Sequence, residues 1–178
     1  KHTIFKNEEH LYSEKIIFMP NIWNCHSGFE NPRKKYNLPF EKNNFITFGS
    51  FNNFKKINDD VIKAWSQILL KAKNSKLILK ASTNSSSYFL LNKFKKYGVN
   101  SSVTIIPYKK KFSDHINEYK NIDLALDTFP YNGVTTSFES IWMGVPILTM
   151  NGHNFNSRCG ASINKNLGMN SLIADNIE

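Results

Sequence analysis

The sequence predicts an α/β protein built on a doubly wound, Rossmann-like parallel sheet. Short, near-continuous apolar runs recur along the chain, amphipathic stretches at helical spacing separate them, and cap residues or glycines mark the junctions. Strands covered on both faces read as continuous apolar runs, and strand–helix alternation is the pattern of a parallel sheet. Right-handed crossovers then wind such a sheet in both directions, and ligands sit beyond the carboxyl ends of its strands.

The elements follow in order. Phe45-Ile46-Thr47-Phe48 reads as the first strand, since β-branched and aromatic residues cluster over few positions. Asn58-Asp59-Asp60 supplies a helix cap and an acidic first turn, and Val61, Ile62, Trp65, Ile68 and Leu69 follow on one helical face. Leu77-Ile78-Leu79 is the second strand, and Ser85 to Tyr97 the next helix, closed by Gly98. Val103-Thr104-Ile105-Ile106 gives a third strand, Ser113 to Lys120 a short helix, and Ile122 to Leu126 a fourth strand. Thr135 to Met143 is helical and stops at Gly144, Val145 to Thr149 is a fifth strand, and a last helix runs from about Gly160 to Leu167. Before all of these, Ile16-Ile17-Phe18 reads as one more strand in a Pro- and Asn-rich lead-in.

The 178 residues, 40% hydrophobic and 13% aromatic, suit one globular domain with a genuine core. Lys1 in place of an initiating Met, and the polar end at Glu178, read as the ends of an excerpt from a longer protein. The net charge of +9 is spread over scattered lysines with no basic stripe and no interleaved aromatics, so a nucleic-acid partner is not expected. Nor is a membrane partner, because no apolar stretch approaches the ~20 residues that span a bilayer. Cys25 and Cys159 form no Cys-x-x-Cys pair, which points away from disulfides and zinc and toward a cytoplasmic setting.

Three loops could carry chemistry. Leu126-Asp127-Thr128-Phe129-Pro130-Tyr131-Asn132-Gly133-Val134-Thr135-Thr136 leaves a buried strand, turns at Asn132-Gly133 and enters a helix rich in hydroxyls. A helix N-terminus presents unpaired N–H groups and partial positive charge, and a glycine lets a ligand approach the backbone, so a diphosphate fits there. The same residues also fit a purely structural arrangement, because Thr136 and Glu139 have capping-box spacing. After the first strand, Lys55 and Lys56 could neutralise phosphate charge or be ordinary solvated lysines. After the third, Phe112 or His115 could pack against a base, although a lone histidine also suits a plain helix start. There is no P-loop, Gly-x-Gly-x-x-Gly or His-Glu-x-x-His, and no Asp-x-Asp at a strand end, so no metal is required.

Taken together, four stretches resemble the C-terminal catalytic lobe of glycosyltransferase family 41, the protein O-linked N-acetylglucosamine transferases and their plant and bacterial relatives. They are Tyr12-Ser13-Glu14-Lys15 with Met19-Pro20; Phe48-Gly49-Ser50-Phe51-Asn52-Asn53 running to Lys56-Ile57; Leu126 to Gly133 with Thr135-Thr136; and Trp142-Met143-Gly144-Val145-Pro146. Arg158, Ala161-Ser162, Gly168 and Leu172-Ile173-Ala174 extend the match over nearly the whole chain. The resemblance implies the donor-binding lobe of a GT-B-type enzyme. Residues 1–44 become the end of the acceptor-side lobe and its linker, and residues 45–178 the nucleotide-sugar-binding lobe.

It also implies roles. Lys56 falls on the family's phosphate-binding lysine, and Asn53 on a donor-contacting amide that is usually Gln in the animal enzymes. Gly133, Val134, Thr135 and Thr136 fall on the diphosphate cradle, His115 beside the nucleobase, Lys110 near the backbone that reads it, and Glu139 on a ribose-binding acid. The animal enzymes carry Asp at the position of Glu139 and Lys at that of Phe112, and their inserted domain has no room in the link from Asn31 to Asn44. A bacterial- or plant-like member is therefore expected. The implied activity is inverting transfer of N-acetylglucosamine from UDP-GlcNAc to Ser or Thr of a protein acceptor. The upstream lobe, its catalytic histidine and tetratricopeptide-like repeats would lie outside this chain. A nucleotide-binding module without turnover, or a relative using GDP-fucose or UDP-glucose, remains the alternative.

Overall fold

The computed structural model describes residues 2–29 and 37–177. Six parallel strands form one sheet in the order β3-β2-β1-β4-β5-β6. They are β1 (Thr47–Ser50), β2 (Lys76–Ala81), β3 (Val103–Pro107), β4 (Leu124–Leu126), β5 (Ile147–Met150) and β6 (Ile173–Ala174). The helices are α1 (Pro39–Asn43), α2 (Asp59–Lys71), α3 (Asn84–Lys95), α4 (Phe112–Asn117), α5 (Thr135–Trp142) and α6 (Cys159–Asn166). The chain winds outward through β2 and β3, then crosses back to lay β4 on the other side of β1. That reversal is the topological switch point, where the loops after β1 and β4 diverge and leave a crevice.

Alternation along the strands sorts the core into two layers. Leu77, Leu79 and Leu126 pack with Val61, Ile62, Trp65, Leu90 and Phe94 of α2 and α3. Ile78 and Ala125 point to the other face and pack with Ile116 of α4 and Ile141 of α5. Each fully buried large apolar side chain contributes ~1.5–3 kcal/mol, so the two layers hold the sheet rigid beneath its loops. The predicted apolar face of α2 is the buried one, and its Asn58 cap accepts from Val61 N–H through its side chain.

Several elements differ from expectation. β1 begins two residues late, at Thr47: Ile46 joins the sheet only through its carbonyl, which accepts from Lys76 N–H, and Gly49-Ser50 complete the strand. The helix expected over Ser113–Lys120 ends at Asn117 and tightens into a 3-10 turn over Glu118–Asn121. The sixth strand, a two-residue edge paired with β5, was too short to register as an apolar run. Ile16-Ile17-Phe18 is not a strand, and Ile17 is exposed: no sheet edge lies beside it to satisfy its backbone. Within the link Asn31–Asn44, residues 31–36 lie outside the described residues, and Pro39–Asn43 form α1.

The lead-in is not detached from the lobe. Arg158, itself buried, donates to both carboxylate oxygens of Glu8 at 2.6 and 2.9 Å and reaches the Thr3 carbonyl. His26 stacks on Phe138 at 5.3 Å, and Phe29 meets Phe112 edge-on at 4.9 Å. The Arg158 guanidinium holds Glu8 well below the ordinary 4.5, at about 2. A carboxylate depressed in the fold contributes stability that is present above pH ~4.5 and lost as pH falls through about 2. Arg158→Ala should therefore flatten the acid limb of the stability curve in that window and open residues 2–29 to limited proteolysis ahead of the sheet. Unchanged acid unfolding and an unchanged cleavage pattern would show that this pair does not hold the segment.

Candidate functional site

The switch-point crevice is stitched shut at its base by side chains from both of its loops. From the β1 side, Lys56 Nζ donates to the Asn132 carbonyl at 2.9 Å, and Asn58 donates through its amide to the Phe129 carbonyl at 2.8 Å. From the β4 side, the Thr136 hydroxyl donates to Asn52 Oδ1 at 2.8 Å. The structural alternative for Thr136 and Glu139 is thereby removed. The residue preceding α5 is Val134, no side chain caps the helix, and neither Thr136 nor Glu139 closes a capping box. Thr136 instead bridges the crevice, and Glu139 turns away toward His115.

The β4–α5 loop is shaped by Asp127 at its root. This buried carboxylate accepts from Thr128 N–H, Gly133 N–H and the Thr149 hydroxyl at 2.7–2.9 Å. Asn132 is wholly buried as well; it donates to the Thr128 carbonyl and accepts from Gly160 N–H. A Cβ on Gly133 would stand 2.7–2.8 Å from Thr136 Oγ1, Asn52 Oδ1 and Ser137 Oγ, so only glycine lets these three polar atoms converge. Ser137 Oγ is buried and finds no hydrogen-bond partner among the described residues.

Lys56 is half-buried, and burial lowers its pKa while Asp127 opposes the shift. Its ammonium also lies 4.2 Å from the centre of the Tyr131 ring. It is thus a preorganised cation at the edge of the crevice. Asn53 accepts from Lys55 N–H through its side chain, which caps the 3-10 turn that carries Lys56.

Further out, the crevice opens into a cleft of about 540 Å³ lined by Asn53, Lys80, Lys110, His115, Thr136 and Glu139 among others. Aromatic rings cluster at one end of it: Phe51 and Phe112 line the cleft, Tyr119 is buried behind them, and all three meet His115 edge-on at centroid distances of 5.7–6.2 Å. His115 Nε2 lies 3.0 Å from Glu139 Oε2. The buried Tyr119 hydroxyl shares its proton between Glu139 and the Thr136 carbonyl, and burial, then Glu139, push its pKa well above 10.

Of the residues singled out in the sequence, Asn53, Lys110, His115, Thr136 and Glu139 come together around this cleft, and Lys56 lies beside it over Tyr131. Gly133, Val134 and Thr135 form the loop and helix start behind it, and Thr135 is exposed. Sequence reasoning missed Asn52, Asp127, Asn132, Ser137 and Lys80 as site-shaping residues. Lys80 did leave a signal, as the one charged residue in the β2 run Leu77-Ile78-Leu79-Lys80-Ala81. Among the described residues, no group of three His, Cys, Asp or Glu side chains could hold a metal, and no helix is long and apolar enough to cross a membrane.

Desolvation raises the Asp127 pKa from 3.8 to about 6 against its three hydrogen bonds and Lys56. An acid raised in the fold contributes stability that is full below pH ~3.8 and lost as pH rises through about 6. Asp127→Asn should abolish that decline between pH 4 and 6, because the amide keeps the acceptor for Gly133 and never ionises. Denaturant unfolding at several pH values would read it; an identical slope in the variant would mean that Asp127 is ionised throughout.

Comparison with known proteins places this geometry. The model of glycosyl transferase family 41 matches residues 26–178. The probable UDP-N-acetylglucosamine–peptide N-acetylglucosaminyltransferase SPINDLY of Solanum lycopersicum is 34% identical over 174 residues, which is 96% of this chain and 19% of that protein. The chain thus spans about a fifth of the length of the curated relatives it matches. An O-GlcNAc transferase mutant from Thermobaculum terrenum superposes with a TM-score of 0.87 at 27% identity, over 99% of this chain and 34% of that one. The C-terminal domain of a glycosyl transferase group 1 family protein from Francisella tularensis shares the fold at a TM-score of 0.50 and 14% identity, over 80% of this chain and 83% of its own. The doubly wound sheet, the cleft at its switch point and these matches together make the chain a member of glycosyl transferase family 41.

Proposed function

We propose that this chain is the donor-binding half of an inverting protein O-glycosyltransferase, which moves N-acetylglucosamine from UDP-GlcNAc to Ser or Thr of an acceptor protein. Residues 45–178 form the donor lobe, and residues 1–44 lead in from the acceptor side. The observation that carries the reading is the Thr136–Asn52 hydrogen bond across the switch point, with Gly133 and the unpartnered Ser137 hydroxyl converging on the same spot. A diphosphate laid on the start of α5 meets helix N–H groups and the hydroxyls of Thr135 and Thr136.

Lys56 has the role of stabilising the departing diphosphate. As the acceptor hydroxyl attacks the anomeric carbon, the bond to the diphosphate breaks and negative charge gathers on its oxygens. A cation fixed beforehand by Asn132 and Tyr131 meets that charge without reorganising. Asn53 contacts the donor beside it. On the base side, the ring of His115 and Phe112 packs against uracil, the backbone at Lys110 reads its edge, and Glu139 accepts from the ribose. The acceptor lobe supplies the rest, and the cytoplasm is the compartment this reading places it in.

The chain should bind UDP more tightly than GDP in titration calorimetry, with modest affinity because one lobe contributes the contacts. A folded sample that gives no heat with either nucleotide would remove the donor reading, and preference for GDP would shift it to a GDP-sugar. Lys56→Ala should weaken UDP binding of the folded chain by ~1.5–3 kcal/mol, the worth of a charge-assisted contact, beyond whatever melting temperature is lost with its bond to Asn132. Thr136→Ala should weaken it as well, by more than the stability lost with its hydrogen bond to Asn52 explains. Full affinity in both variants would empty the cradle of its role.

A further inference from the structure

Lys80 ends the apolar run of β2 with its side chain folded onto the floor of the cleft, and the residue is only 9% exposed. Its Nζ lies 2.7 Å from Nδ1 of His115 and 4.7 Å from the centre of the Tyr108 ring. Burial lowers the lysine's pKa, Glu139 and Glu118 oppose that shift, and Lys109 adds to it. An ammonium has three donors and no acceptor. Nδ1 must therefore be the accepting nitrogen, and the neutral ring carries its hydrogen on Nε2. That is the nitrogen facing Glu139 at 3.0 Å, so the imidazole donates to the carboxylate. The direction of each hydrogen bond in the row Lys80–His115–Glu139 follows from the one residue whose polarity is fixed.

We propose that Lys80 is a positioning residue of the cleft: its ammonium locks His115 in the Nε2–H tautomer that holds Glu139 in place. Both ring nitrogens are then engaged inside the protein, and His115 offers a ligand its face rather than a hydrogen bond. Neither bond to Glu139 uses Oε1. The lock is a property of the ligand-free chain; its effect on affinity rests on the nucleotide reading given above.

Long-range ¹H–¹⁵N correlation spectra of the full chain at neutral pH, with His115 assigned by its loss in His115→Gln, test the lock directly. The expected result is an unprotonated Nδ1 and a protonated Nε2 in the native chain. In Lys80→Met, Nδ1 should gain proton occupancy, and Lys80→Arg, which restores a donor, should return the native pattern. UDP affinity should fall roughly tenfold in Lys80→Met, the ratio matching the loss of one ordinary hydrogen bond, and recover in Lys80→Arg. A native Nδ1–H tautomer, or a tautomer unmoved in Lys80→Met, overturns the proposal, as does equal UDP binding by native and Met variants. If the native chain binds no UDP, the donor reading falls while the spectra still decide the lock. If Lys80→Met does not fold, the native and Arg spectra decide it alone.

Discussion

A carboxylate sealed beneath the β4–α5 loop sets the shape of everything above it. Asp127 accepts from two backbone N–H groups, Thr128 and Gly133, and from Thr149 on the neighbouring strand. Those bonds pull the loop back over the end of β4, bury Asn132 and bring Gly133 against the start of α5. Each leaves a polar group satisfied that would otherwise be stranded in the core, where an unpaired one costs ~1–3 kcal/mol. The loop is consequently not a flexible connection. Its carbonyl at Asn132 is a fixed acceptor for Lys56, and its turn fixes where α5 begins.

Electrostatics follow from that geometry. The cleft is flanked by two partly desolvated lysines, Lys56 near Asp127 and Lys80 near Glu139. Burying a cation is costly unless an anion or well-placed acceptors compensate. Here each lysine has a carboxylate close enough to raise its pKa, and each points its ammonium at one neutral acceptor, a carbonyl or an imidazole nitrogen. Neither lysine is quenched by a direct ion pair within the described residues. Both therefore keep positive potential at the cleft, and in the proposed transfer Lys56 is the one preorganised to meet the diphosphate.

The sheet was legible because its strands are apolar on both faces, and a run such as Leu77-Ile78-Leu79 has few other uses. Periodicity found the α2 face through Val61, Ile62, Trp65 and Leu69, all buried. Strand ends were less legible: pairing partners set them, and β6 exists only because β5 offers an edge. In the candidate site, local spacing misled at Thr136 and Glu139. A capping box is a contact between neighbours three residues apart, whereas their real partners are Asn52, 84 positions away, and His115, 24 positions away. Asp127 sat within the quoted motif, but nothing in a linear string distinguishes a loop acid in water from one buried under its own loop. The signal at Lys80, a lone charge in an apolar run, was weak for the opposite reason, as a charged residue at the end of a strand normally reads as a solvated one.

Packing crosses the division at residue 44 that the resemblance implies. Phe112, which lines the cleft, rests on Phe29; Phe138 and Trp142 of α5 rest on His26 and Phe29. Gly28 takes a left-handed φ of +79°, and a Cβ there would fall within 2.4 Å of two Trp142 ring carbons, so the segment can lie flat only as glycine. Arg158 fastens the same segment further back through Glu8. A stretch that the resemblance assigns to the acceptor side therefore packs directly against α5. These ring contacts join the lead-in to α5, the helix whose first turn carries the residues proposed to hold the diphosphate.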